Sequence, residues 1–124
     1  MTAWAPEDIR SIRESDVFHI APFRDDGTTP GTLTWIWAVI VDDAIYVRAY
    51  NGTSSRWYGS AVAQRAGRVS IGGTVHDATF VPIDDTGLNE RVDEAYRAKY
   101  AGSPYLPPML TEKVRAATVR VDAR

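Results

Sequence analysis

Hydrophobic and polar residues alternate along the middle of the chain in two different ways. The run Leu33 to Val41 is apolar at its odd and its even positions apart from one threonine, as expected of a strand covered on both faces. From Ala44 to Tyr50 the pattern repeats every two residues and places Tyr46, Arg48 and Tyr50 on one face. We therefore predict a central core strand, followed by a strand whose aromatic and cationic face is a candidate binding wall.

Three other segments carry apolar residues at helical spacing. Residues 6–13 predict a short amphipathic helix that begins at a proline and packs as a lid on the sheet. Residues 54–66 predict a main helix with Gly67 as its C-terminal cap. Residues 86–100 predict a second main helix, which follows the capping residues 84–86.

The remaining regular segments are β-type. They are residues 17–24, 68–71, 74–83 and 116–122, with Gly72-Gly73 as the turn of a hairpin. Residues 103–110 contain three prolines and are expected to be irregular. Six short, mostly antiparallel strands with two main helices and a short N-terminal helix predict an α+β fold, a single domain over residues 1–124. Closing the sheet into a small barrel would remove its exposed edges.

Composition excludes several classes of function. The hydrophobic fraction of 44% is that of an ordinary globular protein, and no apolar run approaches the ~18 residues needed to span a bilayer. The first eight residues lack the basic and apolar regions of an export signal, so we expect a cytoplasmic protein. The chain has no cysteine, and its 14 Lys and Arg residues are spread out at a net charge of −2. We therefore expect no disulfide, no metal site, no membrane partner and no nucleic-acid partner.

The best candidate for ligand chemistry is the turn and helix start at residues 51–57. Ser54 and Ser55 offer hydroxyl groups there, Arg56 adds a cation, and a helix start presents free backbone N–H groups, an arrangement that suits an anion. A capped helix with an exposed arginine is the simpler interpretation. Arg48, beside Tyr46 and Tyr50, has a similar alternative as an arginine stacked on aromatic rings at a sheet surface.

Other polar and aromatic residues give weaker signals. His19 and His76 lie in no ligand-spaced motif, and we expect neither to be catalytic. Trp35 and Trp37 recur at period two on the predicted central strand, which favours core or dimer-interface packing over a platform for a ring. The sequence identifies no catalytic residue.

Several motifs carry a resemblance to a known family. They are Thr34-Trp35-Ile36-Trp37, Tyr46-Val47-Arg48-Ala49-Tyr50-Asn51-Gly52, Ser55-Arg56-Trp57-Tyr58, Ala95-Tyr96-Arg97-Ala98-Lys99-Tyr100 and Ser103-Pro104-Tyr105-Leu106-Pro107-Pro108-Met109. On these motifs the chain resembles the bacterial family called domain of unknown function 2255. That family is similar in turn to the flavin-binding split-barrel superfamily, which contains pyridoxamine-phosphate-oxidase-like proteins and deazaflavin-dependent nitroreductases. The resemblance implies a split β-barrel that acts as a homodimer, with its pocket between the subunits.

The resemblance also implies a cofactor, FMN or a deazaflavin, used for redox chemistry on a small molecule. In the superfamily, a strand followed by Thr-Asn-x-x-Ser-x-Lys places hydroxyl groups and a cation on the cofactor phosphate, and residues 50–56 match this pattern with Tyr and Arg at its ends. The implied cofactor contacts are Arg48, Tyr50, Asn51, Ser54, Ser55, Arg56 and Trp57. The implied substrate contacts are Tyr96, Tyr100 and Tyr105.

Two alternatives remain open at this point. One is a cofactor-free module that binds a small acidic ligand, or a pocket enzyme of the isomerase or cyclase type, on the same fold. Gly59-Ser60 and Ala66-Gly67 favour it, because they stand where the superfamily usually shows Asn-Leu and Asn-Pro. The other is a purely structural dimer without a ligand.

Overall fold

The computed structural model describes residues 4–124; the first three residues of the N-terminal segment considered above lie outside the described part. Seven antiparallel strands form one sheet in the order β2-β1-β5-β6-β7-β4-β3. The strands are β1 (Phe18–Pro22), β2 (Thr34–Trp35), β3 (Ala38–Val41), β4 (Ala44–Arg48), β5 (Ala66–Ile71), β6 (Thr74–Pro82) and β7 (Thr118–Ala123). The helices are α1 (Pro6–Glu14), α2 (Arg56–Gln64), α3 (Thr86–Lys99), α4 (Leu106–Met109) and α5 (Glu112–Arg115), and a 3-10 turn spans Gly52–Ser54.

The sheet curls into a half-barrel because of the connection between β2 and β3. These strands are consecutive in the chain and only Ile36 and Trp37 separate them, yet they lie at opposite ends of the sheet. Three residue steps cannot span more than about 11 Å, so the two ends of the sheet must approach each other. The Ile36 N–H donates to the carbonyl oxygen of Phe18 at 3.2 Å, which extends the pairing of β2 with β1 up to this connection. The predicted α+β class and mostly antiparallel sheet are confirmed, and the sheet is a curled half-barrel of seven strands.

The prediction of one continuous core strand from Leu33 to Val41 is wrong. The chain bends at the seam, so the sheet has seven strands rather than six, and Leu33 and Trp35 are exposed. The strand buried on both faces is β4, where Ile45 and Val47 point into the barrel and Tyr46 lies beneath α3. Its aromatic and cationic face is therefore largely covered by a helix, and is not an open binding wall.

The core has two parts. The barrel interior is filled by residues such as Phe18, Ile20 and Phe80, and α1 packs onto it with Ile9 and Ile12. The second part lies between α3 and the β3–β4 hairpin, and contains Val39, Tyr46, Val92, Tyr96 and Met109. Burial of these side chains is the main stabilising contribution to the fold.

Most of the local predictions are confirmed. Helices α1, α2 and α3 and the hairpin turn at Gly72-Gly73 lie where their sequence patterns place them, and the Asp85 carboxylate caps α3 by accepting from the Leu88 N–H at 2.8 Å. Helix α2 ends at Gln64, and its C-terminal cap is Arg65, with a φ of 60°, and not Gly67. Gly67 lies in β5, where a Cβ would meet the Ala21 carbonyl oxygen at 2.6 Å. The segment after α3, predicted to be irregular, contains the one-turn helix α4.

Across residues 4–124, every helix is too short or too polar to cross a bilayer.

Candidate functional site

A large cleft opens between the β1–β2 end of the sheet, the segment after β4, and helices α2, α4 and α5. Its volume is about 1290 Å³, enough for a cofactor-sized ligand. The cleft is lined by Pro22, Arg24, Gly31, Thr32, Thr34, Trp35, Ile36, Trp37, Arg48, Tyr50, Asn51, Ser54, Ser55, Arg56, Trp57, Ser60, Tyr105, Met109 and Lys113. All seven residues implied as cofactor contacts lie on this wall, so the fold brings them together.

The segment from β4 to α2 forms one wall through two tight turns. The Gly52 N–H donates to the Ala49 carbonyl at 2.8 Å, and the Ser55 N–H donates to the Gly52 carbonyl at 3.0 Å. Gly52 has a φ of +73°, which favours glycine because a Cβ is strained there. The Ser54 hydroxyl donates to the carbonyl of Asn51 at 3.0 Å and so fixes the 3-10 turn. These turns bring the start of α2 to the cleft.

The N-terminus of α2 has no side-chain cap. Ser55 is the N-cap residue, but its hydroxyl makes no capping hydrogen bond. The first N–H groups of a helix have no intrahelical partner, and they carry partial positive charge. The simpler interpretation, in which a serine caps this helix, is therefore not what the structure shows. Ser55 and the first residues of α2, Arg56 and Trp57, line the cleft.

The charged side chains on the cleft wall are all cationic. Arg24, Arg56 and Lys113 line the cleft together with the buried Arg48, and the described residues of the wall include no carboxylate. Within residues 4–124, neither Arg56 nor Lys113 is held in an ion pair. The electrostatic field in the cleft consequently favours an anion.

Arg48 is a structural residue, which corrects the expectation that it contacts a cofactor. Its guanidinium is 1% exposed and donates five hydrogen bonds inside the protein, with distances of 2.5 to 3.1 Å. The acceptors are the Thr118 hydroxyl, the Asp93 carboxylate, the Met109 carbonyl, and the carbonyl and side-chain oxygens of Asn89. A guanidinium has five N–H donors, so Arg48 has none left for a ligand. The guanidinium also lies 5.4 Å from the centre of the Tyr96 ring.

Aromatic side chains form the apolar part of the wall. Trp35 is 51% exposed, and its indole N–H donates to the Asp16 carbonyl at 3.1 Å, which fixes the ring. Tyr50 and Tyr105 are also exposed, whereas Trp37 stacks on Tyr100 with 3.8 Å between ring centres. Of the two packing roles expected for Trp35, the core role is wrong, because Trp35 belongs to the exposed strand β2, and the dimer-interface role stays a prediction.

Tyr96 and Tyr100 do not reach the cleft, which corrects their implied role as substrate contacts. Tyr96 is fully buried on the inner face of α3, and burial raises the pKa of its phenol. The Tyr100 hydroxyl donates to the Asp16 carboxylate at 2.7 Å, and burial raises its pKa as well. Both belong to the second hydrophobic cluster. Of the three implied substrate contacts, only Tyr105 lies on the cleft wall.

The wall also contains residues that the sequence did not indicate. Arg24 and Lys113 come from two distant segments that only the tertiary fold brings together, and no local motif marks them. His19 and His76 lie on β1 and β6 with β5 between them, and neither lines the cleft. His76 instead packs against Trp4, and its Nε2 lies 3.8 Å from the Asp8 carboxylate. Within residues 4–124, no group of three His, Asp or Glu side chains is placed to hold a metal ion.

Comparison with known families gives one match that spans most of the chain. The model of the family described as "Uncharacterized protein conserved in bacteria (DUF2255)" matches residues 8–121. Comparison with curated proteins found no match.

Solved structures show similarity at the level of the fold. A conserved hypothetical protein from Mycobacterium tuberculosis is 19% identical, with a TM-score of 0.68, covering 99% of this chain and 82% of that one. A candidate pyridoxamine 5'-phosphate oxidase from Listeria innocua is 11% identical, with a TM-score of 0.63 and coverages of 95% and 90%. An FAD-binding protein from Mesorhizobium loti is 18% identical, with a TM-score of 0.54 and coverages of 99% and 90%. At these identities the likeness establishes the architecture alone.

Proposed function

The chain belongs to the bacterial family DUF2255 and has the fold of the flavin-binding split-barrel superfamily, and from this premise we propose that it binds a flavin-type cofactor. The cofactor is FMN or a deazaflavin, held in the cleft for redox chemistry on a small molecule. The homodimer that the resemblance implies, and a cytoplasmic location, are part of the same proposal.

The observation that carries this proposal is the chemistry of the cleft wall at the start of α2. An uncapped helix N-terminus, the Ser55 hydroxyl and the unpaired Arg56 lie together, and no carboxylate opposes them on the described wall. Backbone N–H groups at a helix start and an arginine are the groups that proteins use to hold phosphate. Ser54 stabilises the turn that presents them, since its hydroxyl bonds to Asn51. The donor set fits a phosphate monoester.

The aromatic residues of the wall are suited to contact the ring system of the same ligand. Trp35, Tyr50, Trp57 and Tyr105 offer ring faces and edges along the cleft. Large aromatic surfaces favour a planar heterocycle through offset stacking and edge contacts. A bound flavin would supply the hydride chemistry, and these residues would orient its ring and limit the access of water.

The wall disfavours a cofactor-free isomerase or cyclase. Such enzymes rely on a positioned general acid or base, most often histidine or a carboxylate. The described residues that line the cleft include no histidine, aspartate or glutamate. The chain's own side chains therefore suit binding and orientation better than proton transfer.

The rim of the cleft supports the homodimer. Leu33, Trp35, Tyr50 and Tyr105 each expose between 42% and 63% of their surface, and the last three line the cleft. Clustered exposed aromatic residues are typical of an interaction surface. A second copy of the chain on this rim would bury them and close the cleft. Sedimentation at a range of protein concentrations tests this, and a monomer at every concentration would contradict it.

The cofactor proposal is tested by titrating the purified protein with FMN, with a deazaflavin and with riboflavin, followed by calorimetry and by visible absorbance. We expect binding of a phosphorylated flavin, with Arg56→Met weakening it and Arg10→Met, a change of an exposed cation on α1, leaving it unaltered. Stabilisation by small phosphates or carboxylates, without binding of any flavin, would instead support the cofactor-free binding module. No binding of any of these ligands would leave the structural dimer as the explanation.

A further inference from the structure

The contact between Lys113 and Gly52 joins the C-terminal part of the chain to the wall of the cleft. Lys113 lies in α5 and runs across the 3-10 turn that begins at Gly52. A Cβ built on Gly52 would lie 2.9 Å from Lys113 Cγ and 3.1 Å from Lys113 Cε. The aliphatic part of the lysine side chain therefore packs against the side of Gly52 where any other residue carries a Cβ. A larger residue at position 52 would displace it.

The position of Lys113 leaves its ammonium group available. Lys113 is exposed, it lines the same cleft as Arg56, and no carboxylate of residues 4–124 forms an ion pair with it. The other lysine of the chain, Lys99, is used by the fold and donates to the carbonyl oxygens of Ser15 and Ala38 at 3.1 and 2.7 Å. The two lysines thus differ in kind, because only Lys113 presents a free cation to the cleft.

We propose that Lys113 is a ligand-binding residue of the cleft that contacts the phosphate group of the bound molecule, and that Gly52 is required for it to reach that group. This inference rests on the proposed function, since it adds a second cation to the phosphate site at Arg56. It makes the site selective for a phosphorylated flavin over the unphosphorylated ring. Lys113 comes from an element after the last main helix, which is why the segment 50–57 does not reveal it.

The test compares FMN with riboflavin, which lacks the phosphate, by calorimetry on the wild-type protein and on Lys113→Met, Lys113→Arg and the control Arg10→Met. Methionine keeps most of the aliphatic length, so the contact with Gly52 is retained while the charge is lost. We expect Lys113→Met to weaken FMN binding by about tenfold and riboflavin binding hardly at all, because a charge-assisted hydrogen bond is lost. Lys113→Arg should keep most of the preference for FMN, and Arg10→Met all of it.

Failure of this inference can be told apart from failure of the proposed function. If the wild-type protein binds FMN and Lys113→Met binds it equally well, the inference is overturned and the cofactor site stands. If the wild-type protein binds no flavin, inorganic phosphate replaces it as the probe, with thermal stabilisation as the readout. Stabilisation of the wild-type protein and of Arg10→Met, but not of Lys113→Met, then supports the inference, and equal behaviour of all three overturns it.

Discussion

The Arg48 guanidinium lies 2.5 Å from the Asp93 carboxylate, and both side chains are at least 98% buried. This pair joins β4 to α3, and its other hydrogen bonds extend to α4 and β7. Asp93 also accepts a hydrogen bond from Arg115. The buried Arg48 and the partly exposed Arg115 both bond to this one carboxylate, which makes Asp93 the centre of the polar network beneath the cleft.

Asp93→Asn is expected to lower the free energy of unfolding by about 3 to 5 kcal/mol, because it leaves the buried Arg48 charge without its partner. Denaturation in urea measures the loss. Arg48→Met with Asp93→Leu should cost less than the single change, since no uncompensated charge remains. A single change within experimental error of the wild-type protein would contradict the role assigned to this pair.

Ser55→Ala is expected to leave stability unchanged and to weaken binding of FMN. Replacing an N-cap serine usually costs about 1 kcal/mol, but the Ser55 hydroxyl makes no capping hydrogen bond. Asp85→Ala is the matched control, because Asp85 does cap its helix, and it should lower stability by about 1 kcal/mol without changing FMN binding. Equal destabilisation by both changes would show that Ser55 acts as an ordinary cap in solution.

Trp35→Ala and Trp37→Ala should affect different properties, flavin binding in the first variant and stability in the second. Trp35 is half exposed on the cleft wall, so its loss should reduce the free energy of flavin binding by about 1 kcal/mol and leave the melting temperature unchanged. Trp37 stacks on Tyr100, so its loss should lower the free energy of unfolding by at least about 1 kcal/mol. Bound FMN should quench less of the tryptophan fluorescence in Trp35→Ala than in Trp37→Ala. Unchanged flavin affinity in that variant would remove Trp35 from the site.

The hydrogen bonds that Asp26 accepts in the loop before β2 depend on pH. Hydrogen bonds from the Thr29 hydroxyl, the Thr29 N–H and the Thr28 N–H lower the pKa of Asp26 from 3.8 to about 2. A lowered pKa means that these bonds contribute fully above about pH 4 and are lost as the pH falls through about 2. An NMR titration of the Asp26 carboxyl carbon should give a midpoint near 2.

Thr29→Val should move the Asp26 midpoint up toward 3.8, because the largest contribution to the shift is removed. Thr28→Val is the control, since Thr28 donates only through its backbone N–H, at 2.9 Å. That variant should keep the midpoint near 2. Equal shifts in both variants would contradict the assignment of the effect to the Thr29 hydroxyl.

The sequence was sufficient where the signal is local. The periodicities of α2 and α3, the Gly72-Gly73 turn and the donor-rich segment at Ser54 to Arg56 each depend on neighbouring residues, and the structure places all of them as expected. These features follow from backbone preferences and turn chemistry, which a short window of sequence contains.

The sequence was insufficient where tertiary packing decides. Ile36 and Trp37 are apolar and carry no turn signal, yet the chain changes sheet ends there, so one strand was predicted where two exist. The alternating pattern of β4 is the same whether its polar face meets solvent or a helix, and α3 turned Arg48 from a surface residue into a buried one. Arg24 and Lys113 reach the cleft from segments that are far apart in the chain.

The position of β7 has a consequence for synthesis of the protein. Its residues, Thr118–Ala123, pair with β6 on one side and β4 on the other, so this strand alone joins the two halves of the sheet. A chain growing on the ribosome holds the edges of β4 and β6 unpaired until residue 123 has emerged from the exit tunnel. The sheet cannot close before β7 is made, and a partly synthesised chain without this strand exposes two unpaired strand edges that favour aggregation.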